Sequence, residues 1–205
     1  LAYVLALWRF ATVLAALDTG SSFEGMGASR EVQFSALAEP ALLVGFAVLA
    51  RQTRELSLSG ILAAIGPATW AQDGAALALV AAALLAVYLA ENSRIPVDDP
   101  NTHLELTMIH EVMVLDHGGP DFGLILYGAA LKLWILGACI VGLVVPCRTG
   151  TLWLDFLAAV GGMLALAAIV GAIESVLARL RLLRVPHLLA GAGALSTLAF
   201  LLILR

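Results

Sequence analysis

Residues 91–121 concentrate the chemistry of this 205-residue chain, holding seven of its fifteen carboxylates and three of its four histidines. The segment reads Glu91-Asn-Ser-Arg94-Ile-Pro96-Val-Asp98-Asp99-Pro100-Asn-Thr-His103-Leu-Glu105-Leu-Thr-Met108-Ile-His110-Glu111, then Val-Met-Val-Leu-Asp116-His-Gly-Gly-Pro-Asp121. Pro96 and Pro100 break any straight helix entering from the apolar run before them. Asp99, followed by Asn101 and Thr102, predicts a turn that caps a new helix running to about Asp116, with Gly118-Gly119-Pro120 ending it. On that helix Leu104, Met108, Glu111 and Leu115 would share a stripe, His103 and His110 a second edge, and Glu105 and Asp116 a third. A carboxylate inside an apolar stripe has a raised pKa unless a cation or hydrogen-bond donors hold it charged. Groups poised to gain and lose protons near neutrality are what proton transfer needs. A separation of seven residues puts His103 and His110 about 10 Å apart, too far to share one metal ion. The plainer alternative is a solvated helix that docks a partner through its Leu and Met side chains.

A second set of charges lies within apolar runs. Glu39 opens one run just before Pro40, Glu91 closes the next, Lys132 stands midway along another, and Glu174 ends a fourth. Glu91 and Arg94, three residues apart, can pair if the helix continues. A charge at the centre of a bilayer helix costs about 2.5–3.5 kcal/mol on insertion scales, so Lys132 is expected to face a partner or water.

The elements that must position these residues follow from composition. The chain is 61% hydrophobic and 13% charged, with a mean hydropathy of +0.99. Soluble domains run at about 45–50% apolar and about 25% charged, so a soluble enzyme and a disordered tail are both excluded. The net charge of −4 leaves no footprint for nucleic acid. Six apolar runs, at about 1–17, 35–50, 74–90, 122–145, 152–173 and 187–204, approach the length of a bilayer span. None alternates as a barrel strand does. The expectation is all-α: a polytopic transmembrane bundle forming a single membrane domain over 1–205. Trp70 and Trp153 stand near run ends as belt residues, and Gly161, Gly162, Gly171, Gly191 and Gly193 suit close helix packing. Cys139 and Cys147 have neither CxxC partners nor a nearby His, and no iron–sulphur, haem or zinc spacing occurs, so no cofactor is expected in this chain. Arg179, Arg181 and Arg184 form the densest basic cluster, which places loop 91–121 with them in the cytoplasm.

The motif Glu91-Asn-Ser-Arg94-Ile-Pro96-Val-Asp98-Asp99-Pro100, with Glu105-Leu-Thr-Met-Ile-His110-Glu111 and Leu115-Asp-His-Gly-Gly-Pro-Asp121, resembles the complex I subunit 1 family, and most closely its hydrogenase branch. Supporting stretches are Leu17-Asp-Thr-Gly-Ser-Ser22, Gly25-Met-Gly-Ala-Ser-Arg30-Glu31, Ala36-Leu-Ala-Glu39-Pro40 and Ala178-Arg-Leu-Arg-Leu-Leu-Arg-Val-Pro186. The resemblance covers nearly the whole chain and implies a family fold of eight spans, two of them before Leu1. It also implies the setting. The chain would be a membrane subunit without a redox centre, in the inner (cytoplasmic) membrane, within a group 4 nickel–iron hydrogenase of the formate hydrogenlyase type. Partner large and small subunits would carry the nickel–iron site and the Fe–S clusters, and antiporter-like membrane subunits would adjoin it. Loop 91–121 would dock the hydrophilic arm.

In the complex I branch the matching loop reads Arg-x-Pro-Phe-Asp-Leu-x-Glu-Ala-Glu-Ser-Glu-Leu and helps form a quinone cavity and a proton entrance. Arg94, Pro96, Asp98, Glu105 and Leu106 match it, whereas Asn101 and His103 replace two of its acids and the downstream acid is displaced to Glu111. Lys132 stands where quinone-reducing relatives often carry Glu. The implied coupling residues are Glu39, Glu91, Arg94, Asp98, Asp99, Glu105, His110, Glu111 and Lys132, with His103, Asp116 and Glu174 as secondary candidates. The implied function couples electron transfer to translocation of protons or sodium ions. A quinone-chamber subunit of an NADH:quinone oxidoreductase and a passive membrane anchor are the alternatives.

Overall fold

A computed structural model describes residues 2–98, 108–146 and 150–204. Seven helices account for most of them: α1 (Ala2–Asp18), α2 (Ser22–Thr53), the short α3 (Leu58–Ala64), α4 (Pro67–Glu91), α5 (Gly119–Val144), α6 (Leu152–Val176) and α7 (Val185–Leu204). No strand occurs among the described residues. Helices satisfy every backbone N–H and C=O internally, which an apolar solvent demands. Five runs are long and apolar enough to cross a bilayer: α2, α4, α5, α6 and Leu182–Leu204, which contains α7. The sixth expected run is α1, shorter at 17 residues and interrupted by Arg9.

The centre of the bundle is α2, α4 and α7, packed against one another through Val48, Leu77, Val80 and Leu189, all fully buried. Ser196 of α7 donates its hydroxyl to the Ala41 carbonyl of α2 at 2.9 Å. The outer helices dock on this centre. Trp8 of α1 lies over Gly128 of α5 so closely that a Cβ there would overlap the indole. Gly162 of α6 gives the same clearance to Val141 of α5. The other glycines expected to pack helices, at 161, 171, 191 and 193, meet no neighbour. Trp153 is 77% exposed, as a belt residue should be, whereas Trp70 turns inward and donates its indole N–H to the Leu143 carbonyl at 3.0 Å.

The expected helix ending near Asp116 is corrected by the structure. Residues 108–117 are irregular apart from a 3₁₀ turn at Glu111–Val114, and Gly118-Gly119-Pro120 opens α5 instead of closing a helix. Two physical causes act. Gly119 takes a left-handed φ of 60°, and Pro120 sits in the first turn of α5, where its missing N–H costs nothing. The backbone groups of 108–116 are meanwhile claimed by side chains from elsewhere. Arg30 Nη1 donates to the Met108 carbonyl at 2.7 Å. The amides of Ile109 and His110 donate to Asp98 Oδ2 at 3.0 and 3.3 Å, and that of Asp116 to Glu24 Oε1 at 2.8 Å. The predicted apolar stripe is dispersed accordingly, with Met108 buried, Glu111 half-buried and Leu115 half-exposed. Leu104 of that stripe, with Asp99, His103 and Glu105, lies outside the described residues.

Candidate functional site

Arg9 interrupts the apolar run of α1, and a guanidinium there must find counter-charges. It finds three. Nε meets Glu31 Oε1 at 3.2 Å, Nη2 meets Glu91 Oε1 at 2.5 Å, and Nη1 meets Glu39 Oε1. The planar fork of donors suits this arrangement, which a point-charge Lys would not reproduce. Glu31 and Glu39 lie eight residues apart on α2, close enough in angle to share a face, with Pro40 leaving one helical bond unmade beside Glu39. Glu39 therefore sits in the middle of the long α2, not at the opening of a span.

Glu91 is the last residue of α4. The helix stops because Asn92 turns its amide back to the Tyr88 carbonyl and Ser93 takes a left-handed φ of 52°. That turn carries Arg94 away from Glu91, so the pair expected from their spacing does not form. Arg94 instead meets Glu174 of α6 at 3.6 Å. The second oxygen of Glu91 faces Lys132 Nζ of α5 at 3.5 Å.

The cluster extends outward through His110. Its Nε2 lies 3.2 Å from Glu31 Oε2 and its Nδ1 lies 3.7 Å from Asp98 Oδ2. Both nitrogens are buried, and neither makes an aligned hydrogen bond, so these are ion-pair contacts. Burial works against a charged imidazole, but Glu31 and Asp98 outweigh it and push His110 up to about 9. Burial likewise opposes ionisation of Asp98, and His110 with the amides of Ile109 and His110 overcomes it, holding the carboxyl below its ordinary value. Asp98 Oδ1 accepts from Arg179 Nη2 at 3.1 Å, and the Leu180 amide donates to the Pro96 carbonyl at 2.9 Å, which ties the 93–98 turn to the segment before α7.

The resulting chain of contacts runs Arg179–Asp98–His110–Glu31–Arg9 and then divides to Glu39 and to Glu91–Lys132. It holds four carboxylates against Arg9, Lys132 and Arg179. With His110 protonated the cations also number four, so the imidazolium proton completes the charge balance. Two cavities adjoin the chain. One of about 450 Å³ opens beside the 92–114 segment, bordered by Trp8, Arg94, His110, Glu111 and Ile125. One of about 260 Å³ lies deeper, beside Glu39, Leu42, Val87 and Leu136.

Of the residues expected from sequence, the structure therefore brings together Glu39, Glu91, Asp98, His110 and Lys132. Glu111 borders the larger cavity, Arg94 and Glu174 form a separate pair, and Asp116 contributes its backbone amide to Glu24. Sequence reasoning missed Arg9, Glu31, Arg179 and Glu24. Arg9 carried the same signal as Lys132, a charge in an apolar run. Glu31 was legible as the acid eight residues before Glu39. Arg179 stood within a cluster read only for orientation. Glu24, fully buried, accepts from Asp116 and from the Thr19 hydroxyl, and nothing in its sequence neighbourhood announces that. Among the described residues no group of His, Cys, Asp and Glu could hold a metal ion.

Residues 1–204 match the NADH dehydrogenase family, the one that includes complex I subunit 1. The chain belongs to that family. It is 28% identical over 210 residues to formate hydrogenlyase subunit 4 of Escherichia coli (strain K12), covering all of this chain and 67% of that protein. It is 32% identical over 146 residues to hydrogenase-4 component C of the same organism, covering 71% of this chain and 45% of that protein. The family resemblance read from the 91–121 motif is thereby shown, and membership accounts for the apolar helices of a multi-pass membrane protein.

Proposed function

We propose that this chain is the membrane subunit, without a redox centre of its own, of a complex I-like nickel–iron hydrogenase of the formate hydrogenlyase type. In this reading it anchors the hydrophilic arm through the 92–118 segment, on the cytoplasmic side of the inner membrane, and couples electron transfer to ion translocation. The catalytic hydrogenase subunits carry the Fe–S clusters and the nickel–iron site, and antiporter-like subunits adjoin the bundle. The observation that carries the reading is the unbroken run of ionisable side chains from Arg179 and Asp98 at the loop to Glu39 inside α2.

The chemistry is electrostatic. A unit charge appearing 4 Å from another, at an effective dielectric of 20, is worth about 4 kcal/mol, which exceeds the roughly 1.4 kcal/mol of one pKa unit. A change of charge beside the loop therefore suffices to alter proton occupancy at His110. From Nε2 the proton has Glu31 Oε2 as its nearest acceptor, and neutralising Glu31 weakens its hold on Arg9. The test is the intact hydrogenase complex in vesicles carrying Glu91→Gln or Glu39→Gln. Hydrogen turnover should persist while turnover-driven proton uptake is lost; undiminished uptake refutes the assignment.

The cavity of about 450 Å³ favours a second reading, a quinone chamber, because its size falls in the range of small-ligand sites and its walls are mainly apolar. Inhibition of turnover by quinone-site inhibitors, relieved by added quinone, would establish it.

A further inference from the structure

The two cavities share four lining residues, Leu5, Arg9, Glu91 and Lys132, which therefore form the partition between them. Glu31 borders only the outer cavity and Glu39 only the inner one, yet Arg9 binds both carboxylates at once. Any ion passing from one cavity to the other must pass this guanidinium. We propose that Arg9, seconded by Lys132, makes the partition selective for protons over metal cations. The inference rests on the reading of this chain as a translocating subunit and names the ion that it carries.

The argument is coordination chemistry. A sodium ion sheds its water only where several oxygens replace it. At the partition those oxygens are already engaged: both oxygens of Glu91 face Arg9 and Lys132, and both of Glu31 face Arg9 and His110. To bind there, sodium would have to displace a guanidinium or an ammonium, each tethered to its helix, and would meet two fixed positive charges on approach. An arginine in a narrow passage is an established form of electrostatic barrier to cations. A proton needs no such displacement. It leaves one carboxyl or imidazolium, breaking an O–H or N–H bond, and forms an O–H bond on the next carboxylate. Arg9 cannot itself relay the proton, because it stays protonated at every attainable pH. It holds Glu31, Glu91 and Glu39 within reach of one another while occupying the space that a metal cation would need.

The experiment uses the whole hydrogenase complex in sealed vesicles, with a pH dye inside and ²²Na⁺ outside. The wild-type complex should acidify or alkalinise the lumen during turnover without moving ²²Na⁺, and should show low passive ²²Na⁺ permeability. Arg9→Ser, which opens the partition and adds an oxygen, should raise passive ²²Na⁺ entry severalfold, and Arg9→Lys should restore most of the exclusion. If Arg9→Ser does not assemble, as judged by co-purifying subunits, Lys132→Ser tests the same partition and should raise entry to a lesser degree. Turnover-coupled ²²Na⁺ uptake by the wild type overturns the inference. So does passive ²²Na⁺ entry that is equal in wild type and serine variant. A wild type that moves neither ion with turnover refutes the coupling reading instead, and the passive comparison still decides the partition.

Discussion

His110 is bound on both sides by carboxylates, and its behaviour with pH follows from that position. Its folded pKa of about 9 lies above the ordinary 6.5, so the protonated imidazole contributes stability fully below pH 6.5 and loses it as pH rises through about 9. Asp98 is depressed, so its contribution is present above its ordinary value and fades only in acid. The expected outcome is an alkaline loosening of the 108–116 segment that Glu31→Gln moves to lower pH. Histidine NMR titration in detergent checks it, and a midpoint near 6.5 in the native chain would contradict the geometry. Two arginines separate structural from superficial pairs. Arg94 is 38% exposed and 3.6 Å from Glu174, so Arg94→Ala should cost no more than about 1 kcal/mol. Arg179→Ala strips a charged hydrogen bond from Asp98, which is only 3% exposed, and should cost about 1.5–3 kcal/mol in thermal unfolding of the detergent-solubilised chain. Residue types alone foretold Lys132 and Glu39, because a charge in lipid is rare and needs a partner. They did not foretell which partner, since Arg9, Glu39, Glu91 and Lys132 come from four different helices.

At the scale of elements, what positions His110 is the seating of the 108–116 segment on the first turns of α2. Glu24, Arg30 and Glu31 grip it, and Gly27 lets it come close. A Cβ at Gly27 would overlap the Val112 side chain and stand 2.9 Å from Met113 Cγ and 3.0 Å from the Ile109 carbonyl oxygen. Val112 can turn, but the Ile109 carbonyl belongs to the backbone held by Asp98. Gly27→Ala therefore gains about 1 kcal/mol of helix propensity and loses about 1–3 kcal/mol to overpacking, a net destabilisation. Gly27→Val should lift the segment off α2 altogether. Amide exchange of 108–116 should quicken in both variants, more in the second, and the His110 pKa should fall toward 6.5. Unchanged exchange in Gly27→Val would show that the segment is held by other means. These grips explain why the segment was misread as a helix. Local patterning favoured one, but Glu24 and Asp116 lie 92 residues apart, and Arg30 and Met108 lie 78 apart. No window along the chain contains both ends of such a contact. The spans were legible for the opposite reason, because a helix in lipid satisfies its own backbone and needs no distant partner to declare itself.

The whole molecule is turned inside out relative to a soluble bundle, with its ionisable residues gathered within and its outer helices apolar. On α6 Leu154, Phe156, Leu157, Leu164 and Ile169 are all at least half exposed, while only Leu166 and Val170 are buried. In water such a face would aggregate. In a bilayer it is the correct surface, and the two settings make opposite predictions for one substitution. Leu164 lies at the middle of α6 and is 67% exposed. Were the surround aqueous, Leu164→Asp would be close to neutral or would improve solubility, because exposed positions tolerate charge. With lipid outside, the same carboxylate faces hydrocarbon with no cation on the described part of α6 to receive it. Insertion should then cost about 2.5–3.5 kcal/mol, which removes most of the correctly inserted population when this helix is scored in a glycosylation-mapping assay. Leu164→Met, of similar volume and polarity, should insert as the native helix does. Normal insertion of the Asp variant would mean that α6 is covered by protein at that depth. Leu157 and Leu164 lie seven residues apart on one face of α6, so Leu157→Asp, two turns nearer the start of the helix, would then measure how far the cover extends.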